Sequence, residues 1–205
     1  MYSVHFDKDN LCDKSASKLR FSCCGSWSKV WGSCDGLVLV EDAWRTMYLL
    51  NPTTLESKKL PALRCRFRSH VIRNLYGFGY DSSCDDYAVV FMCYQPGLKK
   101  EFCVYVYTLK KNVWEKIGYS PYDHKADSLS RGIFFKGSLH WLAKNYNRRC
   151  RRFISALNIA KQEFSKVSPP TAVYRAELLY SKLEVHEGCL CLTALVANVH
   201  MTVEL

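Results

Sequence analysis

A chain of 205 residues makes one large domain or two small ones, and buries roughly 70% of its unfolded surface on folding. With 48% apolar, 14% aromatic and 23% charged residues, its composition excludes the disordered, collagen-like and bilayer-spanning classes. Lysine and arginine outnumber aspartate and glutamate by 29 to 19, a formal charge of +10. That balance suits an acidic protein surface or a nucleic acid as partner and says nothing of fold.

In chain order, Met1–Asp7 predicts an extra strand. It lacks the basic segment and apolar run of a secretory leader, so the expected compartment is intracellular, cytoplasmic or nuclear, and the eleven cysteines are expected as thiols. Residues 1–18 read as an N-terminal extension and 19–205 as the folded domain. Gly36-Leu37-Val38-Leu39-Val40 opens a strand-like series, followed by Met47-Tyr48-Leu49-Leu50-Asn51-Pro52 and Ser57-Lys58-Lys59-Leu60. The same order returns in 86–93, 104–109 and 114–117, and again in 137–142, 153–158 and 164–167; Gly188-Cys189-Leu190-Cys191-Leu192 begins a fourth round. Gly36, Gly137 and Gly188 are spaced by 101 and 51 residues, two periods and one of about 50, a spacing in the propeller and kelch range.

These runs are short, rich in Val, Tyr, Phe, Leu and Trp, and bounded by polar turns, which favours strands. A single meander cannot bury its own apolar faces, and stacking meanders around an axis solves that. The expected fold is therefore all-β: antiparallel meanders near 36–62, 74–118, 130–168 and 176–205, helix under about a tenth of the residues. The fourth unit stops at Leu205. About three and a half four-stranded blades of an incomplete kelch-like β-propeller are expected. The longest uncharged run, 188–203, is shorter than the roughly 20 residues that span a bilayer, so no membrane partner is expected.

Chemical signals are weak. Gly32-Ser33-Cys34-Asp35-Gly36 has the form of a nucleophile elbow, but the strand Leu37–Val40 follows where a helix is needed, so a turn with a packed Cys34 is predicted. Cys189, Cys191 and His186, or Cys23-Cys24 with Cys34, lack the paired knuckles of a zinc site. No catalytic residue, metal or cofactor is expected. Binding is assigned to two arginine clusters in loops, Arg64, Arg66, Arg68 and Arg73, then Arg148, Arg149, Arg151 and Arg152, whose planar forks suit carboxylate or phosphate. Trp27, Trp31 and Trp44 fall outside the repeat phase and are assigned to the surface as further contact residues; Trp114 and Trp141 fall in phase and are assigned to the core.

An ordered set of motifs resembles a known family. It comprises Gly32-Ser33-Cys34-Asp35-Gly36-Leu37, Leu50-Asn51-Pro52-Thr53-Thr54, Gly77-Phe78-Gly79-Tyr80-Asp81, Asp85-Asp86-Tyr87, Val106-Tyr107-Thr108-Leu109 with Trp114, and Gly137-Ser138-Leu139-His140-Trp141-Leu142. In this order they are similar to the plant F-box-associated interaction domains, over roughly residues 19–205, with no F-box visible in Met1–Arg20. The resemblance implies a kelch-like propeller and a non-catalytic module that selects protein substrates for SCF-type ubiquitin ligases. A Skp-type adaptor and a cullin would join through an F-box upstream. It also implies that Gly32, Cys34, Gly36, Asn51, Pro52, Gly77, Gly79, Tyr80, Trp114, Gly137, His140 and Trp141 are structural. The alternatives are a basic RNA-binding propeller fragment and, last, a propeller enzyme.

Overall fold

The structure, a computed structural model, describes residues 2–4, 16–18, 27–63, 74–94, 101–124, 131–146, 152–168, 180–196 and 199–204. All regular structure among them is β, and no helix is present among the described residues. The chain divides into two compact units, Met1–Leu63 and Arg64–Leu205.

The first unit holds a short antiparallel pair, β1 (Tyr2–Val4) with β2 (Ala16–Lys18); β1 lies within Met1–Asp7, where a strand is expected, and β2 lies outside it. Its main sheet is a four-stranded antiparallel meander of β3 (Trp27–Cys34), β4 (Leu37–Asp42), β5 (Met47–Leu50) and β6 (Ser57–Lys59). This meander starts at Trp27 rather than near residue 36. The register of β3 against β4 slips at Trp31, since Val30 faces Val40 and Gly32 faces Leu39. An extra residue of this kind leaves the strand's alternation and re-aims its side chain. Trp31 is turned inward and is only 4% exposed. Its Nε1 donates to Glu41 Oε2 at 3.0 Å, and Lys29 Nζ lies 3.6 Å from its ring centroid. The surface position expected for Trp31 is thereby corrected: it is a core residue whose indole N–H finds a buried carboxylate.

In the second unit β7 (Asn74–Asp81), β8 (Asp86–Tyr94), β9 (Phe102–Thr108) and β10 (Val113–Ser120) form one antiparallel meander. β11 (Arg131–Phe135), β12 (Ser138–Lys144), β13 (Arg152–Asn158) and β14 (Glu163–Val167) form the next. β7 and β11 then pair in parallel, Arg131 facing Tyr76 and Gly132 facing Gly77, which joins the two meanders into an eight-stranded sheet. A separate three-stranded meander follows, β15 (Tyr180–His186), β16 (Cys189–Val196) and β17 (Val199–Glu204).

Trp141 on β12, 0% exposed, covers the parallel seam. A Cβ on Gly132 would fall 2.5 Å from its Cε2 and Cζ2, and one on Gly77 2.8 Å from Cζ2. Glycines at both register-paired positions are what let the indole approach two backbones this closely. Burying an aromatic of this size removes about 150–250 Å² from water, worth roughly 4–6 kcal/mol before entropy is counted. Around it pack Leu75, Met92, Phe102, Val104 and Leu139, the common core of the two meanders. The outer edges, β10 and β14, carry exposed Glu115, Lys116, Glu163 and Lys166, and β10 is bulged before Gly118; charge and bulge together discourage pairing with another chain.

The sequence period returns as repeated turn geometry. Asp35-Gly36, Lys136-Gly137 and Glu187-Gly188 each join the first two strands of a hairpin with φ near +47 and +81, +45 and +74, +48 and +75. Two consecutive positive φ values describe a type I′ turn, whose second position is most easily filled by glycine. Among the described residues no helix is long and apolar enough to cross a membrane.

Candidate interaction surface

In the first unit the turn between β4 and β5 presents Trp44, 88% exposed and so the most exposed large apolar side chain among the described residues. The turn is held from beneath. Asp42, itself buried, accepts hydrogen bonds through Oδ1 from the backbone N–H of Trp44 and of Thr46, each at 2.8 Å. Asp42 N donates to Thr46 O and Arg45 N to Asp42 O, at 3.0 and 3.1 Å. Arg45 closes the turn in the left-handed region at φ +62 and is exposed beside the tryptophan. An indole displayed on a backbone fixed in this way loses little entropy when a partner covers it.

The arginine clusters are only partly in view. Arg64, Arg66, Arg68, Arg73, Arg148, Arg149 and Arg151 lie outside the described residues, as does the side chain of Trp27. Arg152 opens β13, half-buried, with Lys144 as its register partner. In the second unit, antiparallel pairing sets the tight turns 82–85, 109–112, 136–137 and 159–162 at one end of the eight-stranded sheet. The starts of β7, β11 and β13 and the ends of β8 and β12 stand at the other.

At that second end lies a polar strap absent from the sequence reading. After β10 the chain turns back, and Asp123 and Lys144 exchange backbone hydrogen bonds of 2.8 and 2.9 Å. Their side chains pair at 3.6 Å. His124 is buried, its Nε2 sharing a 2.8 Å hydrogen bond with Ser120 Oγ and its ring set edge-on to Phe102 and Trp141. Burial is the main reason that its pKa falls to about 4, only partly opposed by Asp123. Tyr146 ties the strap further, accepting from Phe102 N at 3.3 Å and donating to Ser120 O at 3.4 Å.

The motif residues serve turns and core. Asn51 Oδ1 accepts from Thr53 N and Thr54 N at 3.0 and 3.2 Å, fixing the turn that contains Pro52. Gly77 and Gly79 are buried in β7, and Tyr80 donates its hydroxyl to Asp85. Gly32 borders the bulge at Trp31, while Trp114 is half-buried against Phe91 and Tyr107. His140 Nδ1 donates to Ile133 O at 3.2 Å, and burial pulls its pKa down. Cys34 is buried in the strand end before a type I′ turn; burial, and next the charge of Asp35, push its thiol up to about 12. A protonated thiol in a hairpin is no nucleophile. The described cysteines 34, 84, 103 and 189 are free thiols, and among the described residues no three His, Cys, Asp or Glu side chains stand together as metal ligands.

Comparison with known proteins gives a consistent picture. Residues 2–205 match a family described as F-box associated beta propeller domain. The chain is similar to the F-box protein CPR1 of Arabidopsis thaliana, 29% identical over 94% of this chain and 51% of that one. It is similar also to the F-box protein At4g22390 of the same plant, 28% identical over 82% and 46%, and to its F-box/kelch-repeat protein At3g23880, 29% identical over 72% and 40%. The chain spans about half the length of the curated relatives it matches.

Proposed function

The chain belongs to the F-box associated β-propeller domain family, and on that footing we propose that it is a substrate-recognition domain, binding a protein destined for ubiquitin transfer by other subunits of an SCF-type ligase. The observation that carries this reading is Trp44, a bare indole on a turn fixed by the buried Asp42. Tryptophan and arginine are the residues that most often dominate binding energy at protein interfaces. Arg45 stands next to it, and the loop arginines 64, 66, 68, 73, 148, 149, 151 and 152 are proposed as further contacts that read acidic groups on the partner. In this reading no side chain does chemistry, no cofactor is required, and the protein works inside the cell. A Skp-type adaptor and a cullin enter where the domain is carried in one chain with an F-box.

The test is affinity capture from plant-cell extract with the tagged domain, its Trp44→Ala variant, and a variant with Arg148, Arg149, Arg151 and Arg152 changed to Glu. Proteins retained by the first and lost from both variants are the expected result. The charge of +10 supports a second reading as an RNA-binding module. Oligouridylate retention that falls steeply with salt, with no protein retained, would favour that reading instead.

A further inference from the structure

The parallel strands β7 and β11 begin side by side, and the faces of their seam differ. Gly77 and Gly132 point to Trp141. Arg131 faces Tyr76 in the register, so by alternation these two, and Asn74 two residues ahead of Tyr76, project from the opposite face. On that face two buried polar atoms have no hydrogen-bond partner, Arg131 Nε and Asn74 Oδ1. No ion pair joins Arg131 to a carboxylate among the described residues. A guanidinium cannot shed its charge, so a half-buried one left unmatched is a charge held ready for an incoming anion.

The second orphan narrows the anion. Asn74 Oδ1 needs a donor, whereas Arg131 needs an acceptor. An acidic residue within a peptide supplies both, its carboxylate for the guanidinium and a backbone N–H for the amide oxygen. A phosphodiester supplies oxygens only and leaves Asn74 unmet. We propose that Arg131 and Asn74 form a subsite for an aspartate or glutamate side chain of the captured protein. The proposal rests on the protein-capture reading above and narrows it to partners with an exposed acidic segment. Tyr76, on the same face as Arg131 and Asn74, is packed against Phe91 with ring centroids 4.8 Å apart and planes tilted by 41°.

The test uses the whole chain and a fluorescein-labelled, C-terminally amidated glutamate octapeptide, followed by anisotropy. Arg131→Gln is expected to weaken binding at least tenfold and Arg131→Lys to restore part of it. Lys161→Gln, an equal loss of charge in the exposed turn at the other end of the sheet, sets the non-specific baseline. A glutamine octapeptide with a free C-terminus tests the terminal carboxylate as an alternative source, and oligouridylate tests phosphate. In the unsubstituted chain the glutamate peptide should shield Arg131 from phenylglyoxal, read by peptide mass spectrometry, which keeps the proposal testable should a variant misfold. A loss in Arg131→Gln no greater than in Lys161→Gln, unaltered phenylglyoxal labelling, or a preference of the site for oligouridylate or for the free terminus overturns it. If Arg131 proves indifferent while Trp44→Ala still loses captured protein, the subsite is wrong and the protein-capture reading stands.

Discussion

Replacing Gly132 by alanine adds one methyl group at the tightest point of the second unit. Its backbone lies outside the left-handed region, so alanine meets no conformational objection; the objection is space, with Cβ falling 2.5 Å from two ring carbons of Trp141 and 2.9 Å from Nε1. The indole is wholly buried, and it and Leu139 both crowd Gly77, so the ring has little room to retreat. Overpacking of this kind costs about 1–3 kcal/mol, while removing a glycine from a strand returns about 0.5–1 kcal/mol, for a net destabilisation of about 0–2.5 kcal/mol, centred near 1 kcal/mol. In a domain of this size a change near 1 kcal/mol lowers the melting temperature by roughly 2–4 °C. Urea melts of the wild type, Gly132→Ala, Trp141→Phe and the double variant supply the measurement. The smaller ring admits the methyl group, so the double variant should be more stable than the sum of the single effects implies, by about 1 kcal/mol. Gly137→Ala is the contrast: φ there is +74 with open space around it, so the same chemical change acts through backbone strain and should show no coupling to Trp141. Additivity of Gly132→Ala with Trp141→Phe would refute the packing argument.

Asp42→Ala removes the acceptor for two backbone N–H groups and should destabilise the first unit by about 1.5–3 kcal/mol in denaturant melts, whereas Trp44→Ala beside it should change stability by no more than about 0.5 kcal/mol. His124 is neutral in the fold down to about pH 4 but takes up a proton near 6.5 when unfolded, so the unfolded state binds more protons between those values and stability falls as pH drops through them. The loss at pH 4 relative to pH 7 is about 3 kcal/mol, and the difference between wild-type and His124→Gln stability profiles isolates it. Cys34, with its thiol pushed up to about 12, should react with iodoacetamide at pH 8 at least about a hundredfold more slowly than the exposed Cys84, as peptide mass spectrometry over time would show.

The repeat was readable because one physical requirement recurs at one-letter resolution: a type I′ turn wants glycine second, and Gly36, Gly137 and Gly188 mark three such turns. Trp141 was readable as core because its strand keeps phase with the others. Trp31 was not, because a bulge shifts alternation locally and its partner Glu41 lies ten residues away on the facing strand. The start of β3 was hidden by the same irregularity. Ser120 to His124 fall between the meanders expected near 74–118 and 130–168 and carry no sequence signal, since the partners there are Phe102, Trp141 and Tyr146, none of them neighbours in sequence. Asn74 and Arg131 carry no local signal at all; only the pairing of β7 with β11, from different repeats, brings them to one seam.

That parallel pairing makes the repeat a poor unit of inheritance. In a solenoid whose modules meet only through side chains, one can be cut out or duplicated and its neighbours close over the gap. Here β7 lends backbone hydrogen bonds to β11, so excising either meander strands the other with an open edge along its innermost strand, and excising β7–β10 also takes Gly77 from beneath the indole of Trp141. Recombination that shuffles single meanders should therefore be tolerated on either side of the 74–167 block and refused inside it, and circularly permuted or split versions should reassemble only when the break spares that block.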